Sequence, residues 1–225
     1  MENLSIDNLL GIKYLNSNDL NLIFKTADNF KEVINRKIKK VPSLRDVTIA
    51  NLFFENSTRT KLSFELAQKR LSADVVNFSS SGSSISKGET LIDTVNNIIS
   101  MKVDMVVIRH PSPGASVFLS KNIDSCIINA GDGTHEHPTQ ALLDAQTIRK
   151  RLGQVSGLQI AICGDIAHSR VARSNIFCLK TLGNSIRLIG PKTLIPTGIE
   201  DFGVAVTHNM FDGLKDADVV MVLRL

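Results

Sequence analysis

Residues 53–65, FFENSTRTKLSFE, crowd three hydroxyls and a guanidinium into one corner between a strand-like run and a helix-like run. The first N–H groups of a helix lack intrahelical partners and carry a partial positive charge. Ser57, Thr58 and Thr60 add hydroxyl donors there, and Arg59 adds a full charge with a fork of N–H groups. Together they make an anion site suited to phosphate, built without glycines. A plain helix cap beside a surface arginine is the simpler alternative, although a cap needs a single hydroxyl. The corner is not a Walker loop, because G-x-x-x-x-G-K-[ST] is absent.

Further polar clusters follow other apolar runs. SSSGSSISKGE (79–89) holds Ser83, Ser84 and Lys87. Its composition fits a linker and fits an active-site loop equally well. Arg109 closes the run DMVVIR with His110 directly after it, and GDGTHEHPTQ carries His135, His137 and Gln140. The two histidines could chelate a metal, but H-E-x-x-H is absent and no zinc-like spacing accompanies them, so a polar loop entering a helix at Pro138 is the reading, with no metal. A neutral His137 at a helix start is suited to donating to a carbonyl oxygen. GDIAHSR leads to Arg170 with a single glycine, not a dinucleotide fingerprint, and Arg224 closes the last apolar run. No cofactor is implied.

The elements that must position these groups alternate. Helical periodicity runs from Leu20 to Ile34 behind the capping stretch NSND, and strand-like runs fall at 47–54, 74–79, 104–109 and 125–131. Helical patterns occupy 58–71, 89–101 and 137–153. A second series has strands at 158–164, 185–190, 204–208 and 218–224, with a helix at 169–183. This order predicts right-handed β-α-β units: an α/β chain of two doubly wound domains with mostly parallel sheets, the second incomplete. The basic, poorly periodic stretch RKRLGQVSG sets the expected boundary, giving domains 1–150 and 151–225. Parallel sheets bind ligands at the carboxyl ends of their strands, which is where the polar clusters fall.

The composition of the 225 residues is 43% hydrophobic, enough for a core, with a net charge of +4 that suits anionic small molecules and is too weak and dispersed for nucleic acid. Neither a signal-peptide pattern nor a long apolar span is present, so no membrane association is expected. Cys126, Cys163 and Cys178 are widely spaced in apolar surroundings, which fits reduced thiols and a cytoplasmic location.

ENSTRTKLSFE resembles the carbamoyl-phosphate signature of the transcarbamoylases, S-T-R-T-[RK]-x-S-F-E. SKGETLIDT, VIRHPSPGA, NAGDGTHEHPTQALLD and GDIAHSRVARS resemble, in order, the aspartate branch of that family. The resemblance runs from about residue 4 to the last residue. It implies transfer of a carbamoyl group from carbamoyl phosphate to L-aspartate, in pyrimidine biosynthesis. It further implies a homotrimer with shared active sites and, in some assemblies, regulatory chains.

By the same resemblance, Ser57, Thr58, Arg59 and Thr60 hold the phosphate. Thr60, Arg109 and His137 face the carbonyl oxygen, and Gln140 takes the carbamoyl amide. Ser83 and Lys87 enter from a neighbouring subunit, with Ser84 an adjacent alternative to Ser83. Arg170 and Arg224, with Lys87, bind aspartate. The family continues past VVMVLRL into an H-P-L-P loop and a terminal helix, so the expectation is a C-terminally truncated chain. An ornithine-type or acylated-ornithine transcarbamoylase is the alternative within the family, and Arg170 and Arg224 argue against it because an ornithine side chain is cationic. A non-catalytic phosphate-binding or scaffold chain is the alternative outside it.

Overall fold

A computed structural model of the chain describes residues 3–79 and 89–224. After α1 (Ser17–Asn35), strands and helices alternate: β1 (Thr48–Phe53), α2 (Thr58–Arg70), β2 (Asp74–Ser79), α3 (Leu91–Ile99), β3 (Met105–His110), α4 (Ala115–Ser120), β4 (Cys126–Asp132) and α5 (Pro138–Leu152). Then come β5 (Gln159–Cys163), α6 (Arg170–Thr181), β6 (Ser185–Ile189), β7 (Ala205–Thr207), α7 (Met210–Leu214) and β8 (Val219–Val222). The chain divides into two compact units, Met1–Leu10 with Asn21–Gly133, and Gly11–Leu20 with Thr134–Leu225.

The first unit is built on a parallel sheet of order β2-β1-β3-β4. Ala50, Leu52, Val106, Ile108 and Ile127 pack on one face with Val95 of α3 and Leu119 of α4. Ile49, Phe53, Val107 and Ala130 pack on the other with Phe64 of α2. Successive residues of a strand point to opposite faces, so burial of both sets explains why the sequence reads as unbroken apolar runs rather than as alternation. Each large side chain buried here contributes about 1.5–3 kcal/mol. Asn51 is the polar exception in the central strand. Its amide exchanges two 2.8 Å hydrogen bonds with Gln68 of α2, which removes the penalty for burying it.

The second unit holds another parallel sheet, of order β7-β6-β5-β8. Ile160, Ile162, Ile176, Leu179 and Leu188 are fully buried in it. Val220 and Val222 of β8 are exposed. Here Asn16 caps α1: its side-chain oxygen accepts from the N–H groups of Asn18 and Asp19, and the Asp19 carboxylate accepts from the Asn16 N–H. This reciprocal pattern is the reason NSND starts a helix. Helix α5 begins with Pro138 and ends at Gly153, whose φ of +74° closes the helix in the left-handed region.

Two helices escape a sequence reading. With 6 and 5 residues, α4 and α7 are too short to display a helical period. Gly114 leads into α4 at φ +80° and gives its N–H to Asp132, while Asn209 caps α7. Residues 80–88, most of the Ser/Gly stretch, lie outside the described residues.

Candidate active site

Strand order places the polar clusters. In the first sheet, β1 is flanked by β2 on one side and β3 on the other, so the chain switches direction between β1 and β3. In the second, β5 is flanked by β6 and β8, and the switch lies between β5 and β8. Such switch points leave a crevice at the carboxyl ends of the two strands, where open α/β sheets take ligands. Ser57–Thr60 follow β1 and Arg109 ends β3; Arg170 follows β5 and Arg224 follows β8.

At the first switch point, Ser57 is the N-cap residue of α2, yet its side chain makes no cap hydrogen bond. Other Ser and Thr caps of the chain do make that bond. Thr90 accepts from the Asp93 N–H at α3, and Ser169 from the Ala172 N–H at α6. The plain-cap reading of the corner is therefore not realised. Arg59, in the first turn, is exposed and stands at the positive end of the helix, where a cation costs a few tenths of a kcal/mol to about 1 kcal/mol. No acidic residue offsets it in that turn. An arginine placed there does not stabilise the helix.

Arg109 is held from two sides. Its backbone carbonyl accepts from the Phe54 N–H at 2.9 Å, which keeps β1 and β3 in register to their ends. One guanidinium nitrogen pairs with Glu55 at 2.5 Å, and another donates to the Ala130 carbonyl at 3.2 Å. Behind it, His110 is a structural residue: burial holds its pKa below the ordinary histidine value, and its Nδ1 accepts from the Ser112 N–H at 2.9 Å. At Gly133, with φ +50°, a Cβ would collide with Pro113 and the Pro111 carbonyl, so the loop after β3 packs closely on the end of β4.

In the second unit, His137 precedes α5 and is buried, with its N–H donated to the Ser174 hydroxyl at 2.8 Å. Ser174 donates in turn to Glu136 at 2.9 Å, and the same Glu136 oxygen accepts from the Ile12 N–H at 2.7 Å. Burial raises the Glu136 pKa against the lowering effect of these bonds. Gln140, a turn further on, donates to Asp144 at 2.9 Å. Glu55, Glu136, Ser174 and Asp144 were not among the residues the sequence singled out. Their sequence signal is slight: Glu136 adjoins His137, Glu55 lies two residues before Ser57, and Asp144 and Ser174 lie one helical turn beyond Gln140 and Arg170.

At the second switch point, Gly164 (φ +122°) turns the chain out of β5 toward Arg170, the first residue of α6. Arg170, like Arg59, is a cation at the wrong end of a helix for stability. The Leu223 N–H donates to the Cys163 carbonyl at 2.8 Å, extending the β5–β8 ladder to the exposed Arg224. His168 is paired with Asp165 at 2.9 Å, and the Nδ1 of His208 meets the Gly190 carbonyl at 2.7 Å. Among the described residues, no three His, Cys, Asp or Glu side chains are grouped so as to hold a metal ion. Ser83 and Lys87 lie outside the described residues.

Residues 7–150 match the family model for the aspartate/ornithine carbamoyltransferase carbamoyl-P binding domain. The chain is 70% identical over all 225 of its residues to the aspartate carbamoyltransferase catalytic subunit of Flavobacterium psychrophilum, and spans 73% of that protein. It is 67% identical to the corresponding subunit of Flavobacterium johnsoniae over the same share of each chain. Among solved structures, aspartate transcarbamoylase from Trypanosoma cruzi in complex with carbamoyl phosphate and aspartate superposes with a TM-score of 0.88 at 33% identity, covering 97% of this chain and 72% of that one. The catalytic subunit of M. jannaschii aspartate transcarbamoylase superposes with a TM-score of 0.85 at 36% identity, covering 96% and 73%. With two parallel α/β sheets, each carrying its cationic cluster at a switch point, the chain belongs to the aspartate/ornithine carbamoyltransferase family.

Proposed function

We propose that the chain transfers the carbamoyl group of carbamoyl phosphate to the amine of L-aspartate, giving N-carbamoyl-L-aspartate and phosphate in pyrimidine biosynthesis. The observation that carries this reading is the uncapped Ser57–Thr60 corner beside Arg109 at the β1/β3 switch point. It occurs in a chain 70% identical to an aspartate carbamoyltransferase catalytic subunit. The aspartate amine attacks the carbamoyl carbon, the carbonyl oxygen takes up negative charge, and the carbon–oxygen bond to phosphate breaks as the electron pair leaves with the phosphate. The proton shed by the amine departs with the phosphate or to solvent. No side-chain nucleophile is required, and orientation of the two substrates supplies much of the acceleration.

In this reading Ser57, Thr58, Arg59 and Thr60 hold the phosphate. Thr60, Arg109 and His137 donate to the carbonyl oxygen as charge develops there, the kind of contact whose removal costs about 3–4 kcal/mol of barrier. Gln140 takes the carbamoyl amide. Arg170 and Arg224 bind the aspartate carboxylates, and Ser83 and Lys87 complete the site from a neighbouring subunit of a homotrimer. Two substrates rich in negative charge need several cations, and the anchored Arg109 together with Arg59 and Arg170 at helix starts supports that assignment. No helix among the described residues is long and apolar enough to cross a membrane. The free cysteines support a cytoplasmic setting.

The test is product formation from carbamoyl phosphate with L-aspartate, L-ornithine and N-acetylornithine in parallel. Carbamoyl aspartate alone is expected. Product with an ornithine substrate and none with aspartate would transfer the chain to the other branch, and no product with any amine would leave a phosphate-binding chain. For the shared site, inactive Lys87→Ala and Arg59→Ala proteins mixed after reversible dissociation should regain part of the activity. Mixed assemblies without recovery would remove Lys87 from a neighbour's site.

A further inference from the structure

We infer that Asp144 is a positioning residue that fixes which end of the Gln140 amide faces the substrate. The inference rests on the proposed contact of Gln140 with the carbamoyl amide. A backbone carbonyl can only accept a hydrogen bond. Asn175 of α6 is fully buried, and its side-chain nitrogen donates to the Val171 carbonyl at 3.1 Å. That contact identifies this end of the Asn175 amide as the NH2 group. The same nitrogen gives its second hydrogen to one oxygen of Asp144, at 2.8 Å. The other Asp144 oxygen accepts from Gln140 at 2.9 Å. A carboxylate only accepts, so the Gln140 end that faces it is the NH2 group. Each link settles the next, from the α6 backbone to the far end of Gln140.

The consequence is chemical selectivity. With its NH2 turned to Asp144, Gln140 keeps its amide oxygen to offer as an acceptor. An oxygen acceptor recognises a ligand that carries an N–H there, as a carbamoyl group does. It gives nothing to a ligand with a methyl in that place, and an acceptor covered by a ligand that leaves it unmatched is penalised. Were the amide free to turn, its two ends would present a donor and an acceptor alternately. Asp144 and Asn175 thus make Gln140 a reader of the carbamoyl nitrogen.

The probe pair is carbamoyl phosphate and acetyl phosphate, which differ only by NH2 against CH3. Dissociation constants for both are measured by titration calorimetry on the wild type and on Gln140→Ala, Asp144→Asn and the double variant. Asp144→Asn is nearly isosteric and can present an N–H to Gln140. It should lower the preference for carbamoyl phosphate about threefold to tenfold, the size of one neutral hydrogen bond. Acetyl phosphate affinity should hold. In the Gln140→Ala background the same change should have no further effect.

A preference lost in Gln140→Ala but retained in Asp144→Asn would overturn the inference. So would equal weakening toward both ligands, or a further loss when Asp144→Asn is added to Gln140→Ala, because each marks a general structural role. If Gln140→Ala itself leaves the preference intact, the proposed contact of Gln140 fails first and takes the inference with it. Asn175→Ser, which loosens Asp144 without touching Gln140, provides the same readout should Asp144→Asn fold poorly.

Discussion

The guanidinium of Arg109 is clasped by Glu55, two residues beyond the end of β1. Their side chains are only 12% and 24% exposed, so each partner depends on the other to offset lost hydration. Arg109→Ala should therefore do two separable things. Turnover should fall about 100-fold or more, the cost of removing one oxyanion donor. Stability should fall by about 1 kcal/mol, reduced from the fully buried case because both groups still touch water. Adding Glu55→Gln should restore part of the melting temperature and none of the activity. Restored turnover in the double variant would show that Arg109 is a structural partner only.

Arg59 presents the opposite case. It is exposed at the first turn of α2, a poor place for a cation. Arg59→Ala should leave the melting temperature within the range of ordinary surface changes, about 0.5 kcal/mol, or raise it slightly. Carbamoyl phosphate affinity should drop by about 1.5–3 kcal/mol, the contribution of a charge-assisted hydrogen bond. Titration calorimetry decides: unchanged affinity would take Arg59 out of the phosphate site.

The residues proposed to carry charge to a ligand stand out in the sequence because they break local rules. Three hydroxyls at one helix start exceed what a cap needs, arginines where a helix prefers acids oppose its dipole, and such conflicts stand out. The parallel sheets were legible too, since strands covered on both faces read as apolar runs. What stayed hidden is the support. Asn51 with Gln68, Glu136 with Ser174, and Asp144 with Asn175 are pairs separated by 17, 38 and 31 positions, and nothing local marks either member. Strand order, which puts the clusters at switch points, is likewise a property of the assembled sheet.

Arg170 opens α6 beside the β5/β8 switch point, and its role is expected to divide the two substrates. Arg170→Ala should raise the KM for aspartate by about tenfold to 100-fold, as loss of a charge-assisted carboxylate contact would. The KM for carbamoyl phosphate should change little. Steady-state kinetics with each substrate varied in turn gives the comparison, and equal increases would assign Arg170 to folding rather than to aspartate.

Gly11 and Glu136 yield the last prediction. Gly11 has φ −172°, extended backbone open to any residue, so strain is not the reason for a glycine. A Cβ there would run into the Glu136 carboxylate, which the Ile12 N–H and the Ser174 hydroxyl hold in place. Gly11→Ala should destabilise by about 1–3 kcal/mol, as overpacking does. Loosening this carboxylate also disturbs Ser174, which accepts the His137 N–H, so turnover should fall with stability. The pH dependence has a definite sign. Burial raises the Glu136 pKa in the folded chain, so the folded state binds more protons than the unfolded one as pH climbs above the ordinary glutamate value of 4.5. Stability should therefore decline with rising pH across that window, and Asp144, raised by burial as well, adds to the slope. Glu136→Gln, which cannot ionise, should flatten the decline without abolishing it. Thermal melts of both proteins from pH 4 to pH 8 measure the two slopes, and parallel curves would mean that Glu136 is ionised in the fold at no cost.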